Sequence, residues 1–136
     1  MKLQFKQVDA EQKVRDFIRE LVGKENHNKV RASLPEKYSP SKGICITVQG
    51  DGTPTSTTGY TDELVRVSVH GESRSFVRDL MSDIDMNMQG NHLKMKGVFV
   101  STSLGLLVIP SSLKGGYVAS ITYKVRYMRI AIPQQK

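Results

Sequence analysis

The sequence predicts an α+β domain in which two amphipathic helices pack on one face of a mainly antiparallel sheet. The predicted order is α-β-β-β-α-β-β, closing on a long C-terminal β-hairpin. Three observations carry this. Apolar residues recur at helical spacing in two stretches, around 9–22 and 74–88. Residues 64–69 and 117–127 alternate with the period of a strand buried on one side. The 136 residues contain no repeat, linker or low-complexity tract, so one domain spanning 1–136 is expected.

Asp9 is placed as an N-cap, and Gly23 as the terminator, of a helix over about 9–22. Val14, Phe17, Ile18, Leu21 and Val22 follow the spacing of one buried face, and Glu11 with Arg15 makes a favourable pair one turn apart. A short extended piece follows over 30–34, then the turn-rich PEKYSPSKG and a β-rich run at 44–49. Residues 50–61, GDGTPTSTTGYT, hold three glycines, a proline and small hydroxyl residues, a composition that predicts a mobile, projecting loop. In ELVRVSVHG, Val65, Val67 and Val69 alternate with Leu64, Arg66 and Ser68 as in a strand. Ser73 then caps a second helix ending near Gly90, with Phe76, Val77, Leu80, Met81, Ile84 and Met88 as its apolar face.

The closing hairpin, over 97–132, joins KGVFVSTSLGLLVIP to GGYVASITYKVRYMRIAIP through PSSLKGG. In its second arm Tyr117, Ala119, Ile121, Tyr123, Val125 and Tyr127 alternate with Val118, Ser120, Thr122, Lys124, Arg126 and Met128. At ~3.3 Å per residue, a strand over 117–130 spans about 45 Å. A compact chain of this length has a radius of gyration near ~14 Å, hence a diameter of roughly 35 Å. The hairpin is therefore expected to project beyond its domain and lean on a neighbouring copy, unless a bulge near Gly105 bends it back.

Charge is divided along the chain. Residues 1–85 carry 13 Lys/Arg and 13 Asp/Glu, while residues 86–136 carry 7 Lys/Arg and no acid, Asp85 being the last carboxylate side chain. The net charge of +7 therefore belongs to the C-terminal third, which favours an anionic partner. A lone Cys45 cannot form a disulfide framework and fits a reducing compartment. No segment approaches the ~18 apolar residues of a membrane span, so no membrane partner is expected.

Catalytic and metal motifs are scarce. His27, His70 and His92 stand far apart and read as surface or edge residues, and Cys45 as a buried small hydrophobe. GDGTPT lacks the third glycine of a dinucleotide fingerprint and opens no helix. Residues 111–114, SSLK, match a serine–lysine nucleophile pattern but fall in a hairpin turn instead of a helix. Asp79, Asp83 and Asp85 read as the solvated side of the second helix. No enzyme activity, cofactor or metal is expected. For nucleic acid, Tyr123 and Tyr127 point away from Lys124 and Arg126 on a regular strand, so rings and charges do not share a face.

Three features together resemble the tail terminator family of long-tailed bacteriophages. They are the ITVQGDGT strand running into a Gly-rich loop, the strand–turn–helix ELVRVSVHGESRSFVRDLMSDI, and the closing hairpin ending YVASITYKVRYMRIAIP. The resemblance covers nearly the whole chain and rests on architecture and pattern. It implies a virion structural protein at the tail–neck junction, assembled in the host cytoplasm. The protein would form a homo-oligomeric ring, typically a hexamer, that caps the tail tube and ends its polymerisation. The ring would contact the tail tube protein on one face and a head-completion or connector protein on the other. DNA would pass through the lumen without sequence-specific binding. The runner-up is the head-completion or connector (neck) ring itself, and a nucleic-acid-binding α+β module is third. Family lumens are often expected to be acidic, whereas this chain's excess charge is basic. Lys124, Arg126 and Arg129 are accordingly assigned to subunit contacts facing Asp79 or Asp83 of a neighbour. Gly50, Asp51, Gly52, Thr53, Pro54, Thr58 and Tyr60 of the loop, with Pro110 and Lys114 at the hairpin end, complete the expected subunit or tube interface.

Overall fold

The computed structural model describes residues 3, 5–6, 8–52, 54–57, 59–89, 97–111, 115–128 and 130–131. The chain is α+β. Its regular elements are β1 (Phe5–Lys6), α1 (Ala10–Val22), β2 (Val30–Arg31), β3 (Cys45–Gly50), β4 (Thr55–Ser56), β5 (Tyr60–Gly71), α2 (Arg74–Met88), β6 (Val98–Pro110), β7 (Tyr117–Met128) and β8 (Ile130–Ala131). Two 3-10 turns, Lys24–Lys29 and Pro40–Lys42, connect the early elements.

Both helix starts follow their capping residues. Asp9 Oδ1 accepts from the Gln12 N–H at 3.0 Å, and Ser73 Oγ from the Phe76 N–H at 3.3 Å. Gly23, at φ 86°, ends α1. Glu11 and Arg15 form the expected pair, 3.7 Å apart. The main sheet runs β2-β3-β5-β7-β6, with β4 added to the start of β5 and a separate β1-β8 pair. Every pairing is antiparallel except β2 with β3.

Both helices lie on one face, α1 over β2, β3 and β5, and α2 over β5, β7 and β6. The register sets the core in rows. Val48 stands opposite Val67, which stands opposite Ile121; Val65 stands opposite Tyr123, and Val69 opposite Ala119. These side chains close against Val14, Phe17, Ile18, Val77, Met81 and Ile84. Burying each Val or Ile stabilises the fold by ~1.5–3 kcal/mol before chain entropy is counted. The two largest core residues, Tyr123 and Tyr127, keep their hydroxyls satisfied by donating to Asp85 Oδ1 (2.7 Å) and Glu63 Oε2 (3.3 Å).

Four expectations need correction. The segment 50–61 is not a free loop. Gly50 ends β3, Thr55–Ser56 pairs with Thr61 and Asp62, and Tyr60 already belongs to β5. Gly59, at φ 97°, and a Thr57 N–H to Tyr60 carbonyl bond make the turn that allows this. The second correction follows from the first. With residues 60–63 in β5, that strand pairs with β7 along its whole length, so β7 does not overhang its sheet. The hairpin also carries register shifts at Thr102/Leu104 and Leu104/Leu107, bracketing the region of Gly105 where a bulge was the alternative. Third, the buried stripe of α2 is narrower than expected: Phe76 is 53% exposed and Leu80 half-buried, because Val77 is the residue that packs close to Gly71. Fourth, His70 is half-buried, with Nε2 3.1 Å from Thr47 Oγ1 and its ring edge-on to Tyr38. Sequence spacing carries no sign of the cover supplied by residues 35–43. His27 is exposed as expected, and His92 lies outside the described residues.

Candidate assembly surface

No described helix covers the second face of the sheet, and the cross-strand register lays out its side chains. Reading from β5 through β7 to β6, the rows are His70–Val118–Ile109, Ser68–Ser120–Leu107, Arg66–Thr122–Leu104, Leu64–Lys124–Ser101 and Asp62–Arg126–Phe99. The β6 end of these rows is apolar and open. Phe99, Leu104, Leu107 and Ile109 are 53%, 63%, 56% and 47% exposed. The same face of an antiparallel sheet is ordinarily polar when it meets water. Leu104, Leu107 and Ile109 make a strip of the kind that marks an interaction surface, with Phe99 beyond Ser101 at its far end.

The middle of this face is polar and internally satisfied. Thr47, Ser68 and Thr122 are buried, and Asp51 Oδ2 accepts from Arg66 Nη2 at 2.9 Å and Thr122 Oγ1 at 3.3 Å. One corner is charged. Asp62 accepts from Arg126 Nε at 2.8 Å and Nη2 at 3.0 Å, with Lys124 Nζ 3.7 Å away. The Arg126 guanidinium also lies 4.1 Å over the Tyr60 ring. The Arg126 hydrogen bonds hold the Asp62 carboxyl below its ordinary range, and the same bonds raise Arg126.

Within their own chain Lys124 and Arg126 share one carboxylate, Asp62, which stands directly across from Arg126 in the ladder. Asp79 sits exposed beside Arg78 on α2, and Asp83 belongs to the helix side of the sheet. Tyr60, Lys124 and Arg126 come together; Asp51 lies mid-face; Gly52 approaches Leu64; Pro54 and Pro110 are exposed. Thr53, Thr58, Lys114 and Arg129 lie outside the described residues. The β6 strip and Asp62 were not anticipated. The apolar content of 98–109 was a visible signal, but two bulges break its alternation and hide which side each residue faces.

On the helix face, a groove of about 380 Å³ opens between the end of α1 and α2. Leu21, Val22, Phe76 and Leu80 form its walls, Ile44 and Ile46 its floor, and Lys29 and Asp83 stand at opposite sides. The remaining chemistry is muted. Burial pushes the Cys45 thiol up against the opposing effect of Arg31, and burial pushes the His70 imidazole down. These cross-strand neighbours are therefore held neutral, the reverse of a thiolate–imidazolium pair. Glu63 is raised by burial, partly offset by Tyr127 and reinforced by Glu11 and Asp9. Among the described residues, no three His, Cys, Asp or Glu side chains are grouped to hold a metal ion. No described helix is long and apolar enough to cross a membrane. No family model matches the sequence, and no curated protein matches it.

Proposed function

We propose that the protein is a ring-forming structural component of a bacteriophage tail, a tail terminator that caps the tail tube, stops its polymerisation and joins it to the head connector. The observation that carries this reading is the open apolar strip on β6, on a face where Asp51 pairs with Arg66 and Asp62 with Lys124 and Arg126 within the chain. Such a surface is suited to permanent burial by sister copies. Tyr123 and Tyr127 are buried, which disfavours base stacking. Pro54, Thr55 and Ser56 are exposed, which supports assigning this ribbon to contact with the tube ring or an adjacent subunit.

The test is solution mass followed by addition to elongating tail-tube subunits. A closed oligomer that halts elongation supports the terminator. A closed oligomer that leaves elongation untouched moves the assignment to the head-completion ring. Deleting residues 53–58 is expected to preserve the fold and impair tail joining, measured by the yield of joined particles; normal joining would refute a role for the ribbon.

A further inference from the structure

We propose that the β6 strip of one copy seats in the α1–α2 groove of the next, so that Leu104 and Leu107 meet Phe76 and Leu80. This deepens the ring reading above and rests on it. The first argument is what β6 does not offer. Its free backbone edge is interrupted by two bulges and ends in Pro110, which lacks an N–H. Strand addition at that edge is therefore limited to the short regular runs 98–102 and 107–109, and the longer continuous feature is the side-chain face. The second argument is the counterpart. Among the described residues the chain carries a second open apolar surface of matching character, the groove lined by Leu21, Phe76 and Leu80, with Phe76 53% exposed.

Strip and groove lie on opposite faces of the sheet and toward opposite edges, the strip on β6 and the groove beside β3. A two-fold axis could satisfy both strip-to-groove contacts at once only if strip and groove shared one face, and they do not. Pairing strip with groove is heterologous: each copy offers one of each, and repetition closes a ring or extends a filament. Charge completes the match. Asp83, at the groove, makes no ion pair among the described residues. Lys124, beside the strip, is the looser of the two cations sharing Asp62, at 3.7 Å against 2.8 Å for Arg126. Unlike charges at the rim set the register of a contact more than its strength.

The experiment uses the full-length chain. Wild type, Leu107→Asp and Phe76→Asp are compared by sedimentation, with circular dichroism to show that each stays folded. Both side chains are exposed, so folding should survive. The expected result is a closed oligomer for wild type and monomers for each variant, the affinity falling by about 30-fold or more. Mixing the two variants should give dimers and nothing larger, because the mixture keeps one intact strip and one intact groove per pair. In parallel, Leu107→Cys and Phe76→Cys proteins should form a disulfide when mixed and not when kept apart, with wild type controlling for the buried Cys45. Oligomers that persist in both Asp variants, without the mixed disulfide, would overturn this contact and leave the ring reading standing. A wild-type monomer at high concentration would overturn the contact and remove the support for a ring. Dimers on mixing, together with a wild-type closed oligomer that leaves tube elongation untouched, would uphold the contact while the terminator reading falls.

Discussion

The two arms of the closing hairpin are nearly equal in length and similarly rich in apolar residues, yet one is core and the other is surface. β7 lies between β5 and β6, so both its backbone edges are paired, and Ala119, Ile121, Tyr123, Val125 and Tyr127 are buried under α2. Among the described strands β6 has a partner on one side only; the first extra residue in its path turns Leu104 to the open face, and the second restores the alternation that leaves Leu107 and Ile109 on that same face. The difference teaches that burial here is set by position in the sheet and by bulges. Hydrophobic content alone does not separate the arms.

The sharpest way to break the comparison is truncation of an equivalent side chain in each arm. Tyr127→Ala should cost about 3–5 kcal/mol in urea unfolding, since it empties core space and strips Glu63 of a donor. Leu104→Ala, 63% exposed, should change stability by less than about 0.5 kcal/mol. Comparable losses at both sites would mean that β6 is as buried as β7, and the assembly surface would be lost as an idea.

The turn joining the arms comes next. Gly116 has φ 71°, and a Cβ there would collide with the Gly71 carbonyl oxygen and the Pro40 ring. Gly116→Ala should therefore destabilise by about 1–3 kcal/mol, from left-handed strain and displaced backbone together. A neutral outcome in thermal melts would show that the hairpin base is looser than its packing implies.

The smallest expected effect concerns the covered corner of the otherwise open face. Burial lowers the His70 pKa, so the folded state resists protonation relative to the unfolded chain, whose value is ~6.5. Stability from this group is present above about pH 6.5 and is lost as pH falls toward the folded value. His70→Gln, which can still bond to Thr47, should flatten that part of the pH–stability curve when compared with wild type. Parallel curves would mean that His70 is solvated.

Much of the fold was legible because its signals are local. Asp9 and Ser73 announce helix starts through side-chain caps, and the odd-numbered residues of 117–127 announce a one-sided strand. The start of β5 was not legible, since Tyr60 to Glu63 follow a Gly/Thr-rich stretch and earn strand geometry only by pairing with residues 125–128 of β7, far along the chain. The candidate site was legible in part. Lys124 and Arg126 stood out by alternation, but their partner Asp62 lies 64 residues from Arg126 in sequence, and no local pattern links them.

Periodicity and capping thus determined from sequence alone which segments are helices and strands, because those preferences act over a few neighbouring residues. Only the tertiary structure decided that β7 is central and β6 is an edge, that Phe76 faces a groove, and that Asp62 holds both cations. Those outcomes depend on strand order and register, which arise from contacts between distant parts of the chain and are set only when the whole sheet closes.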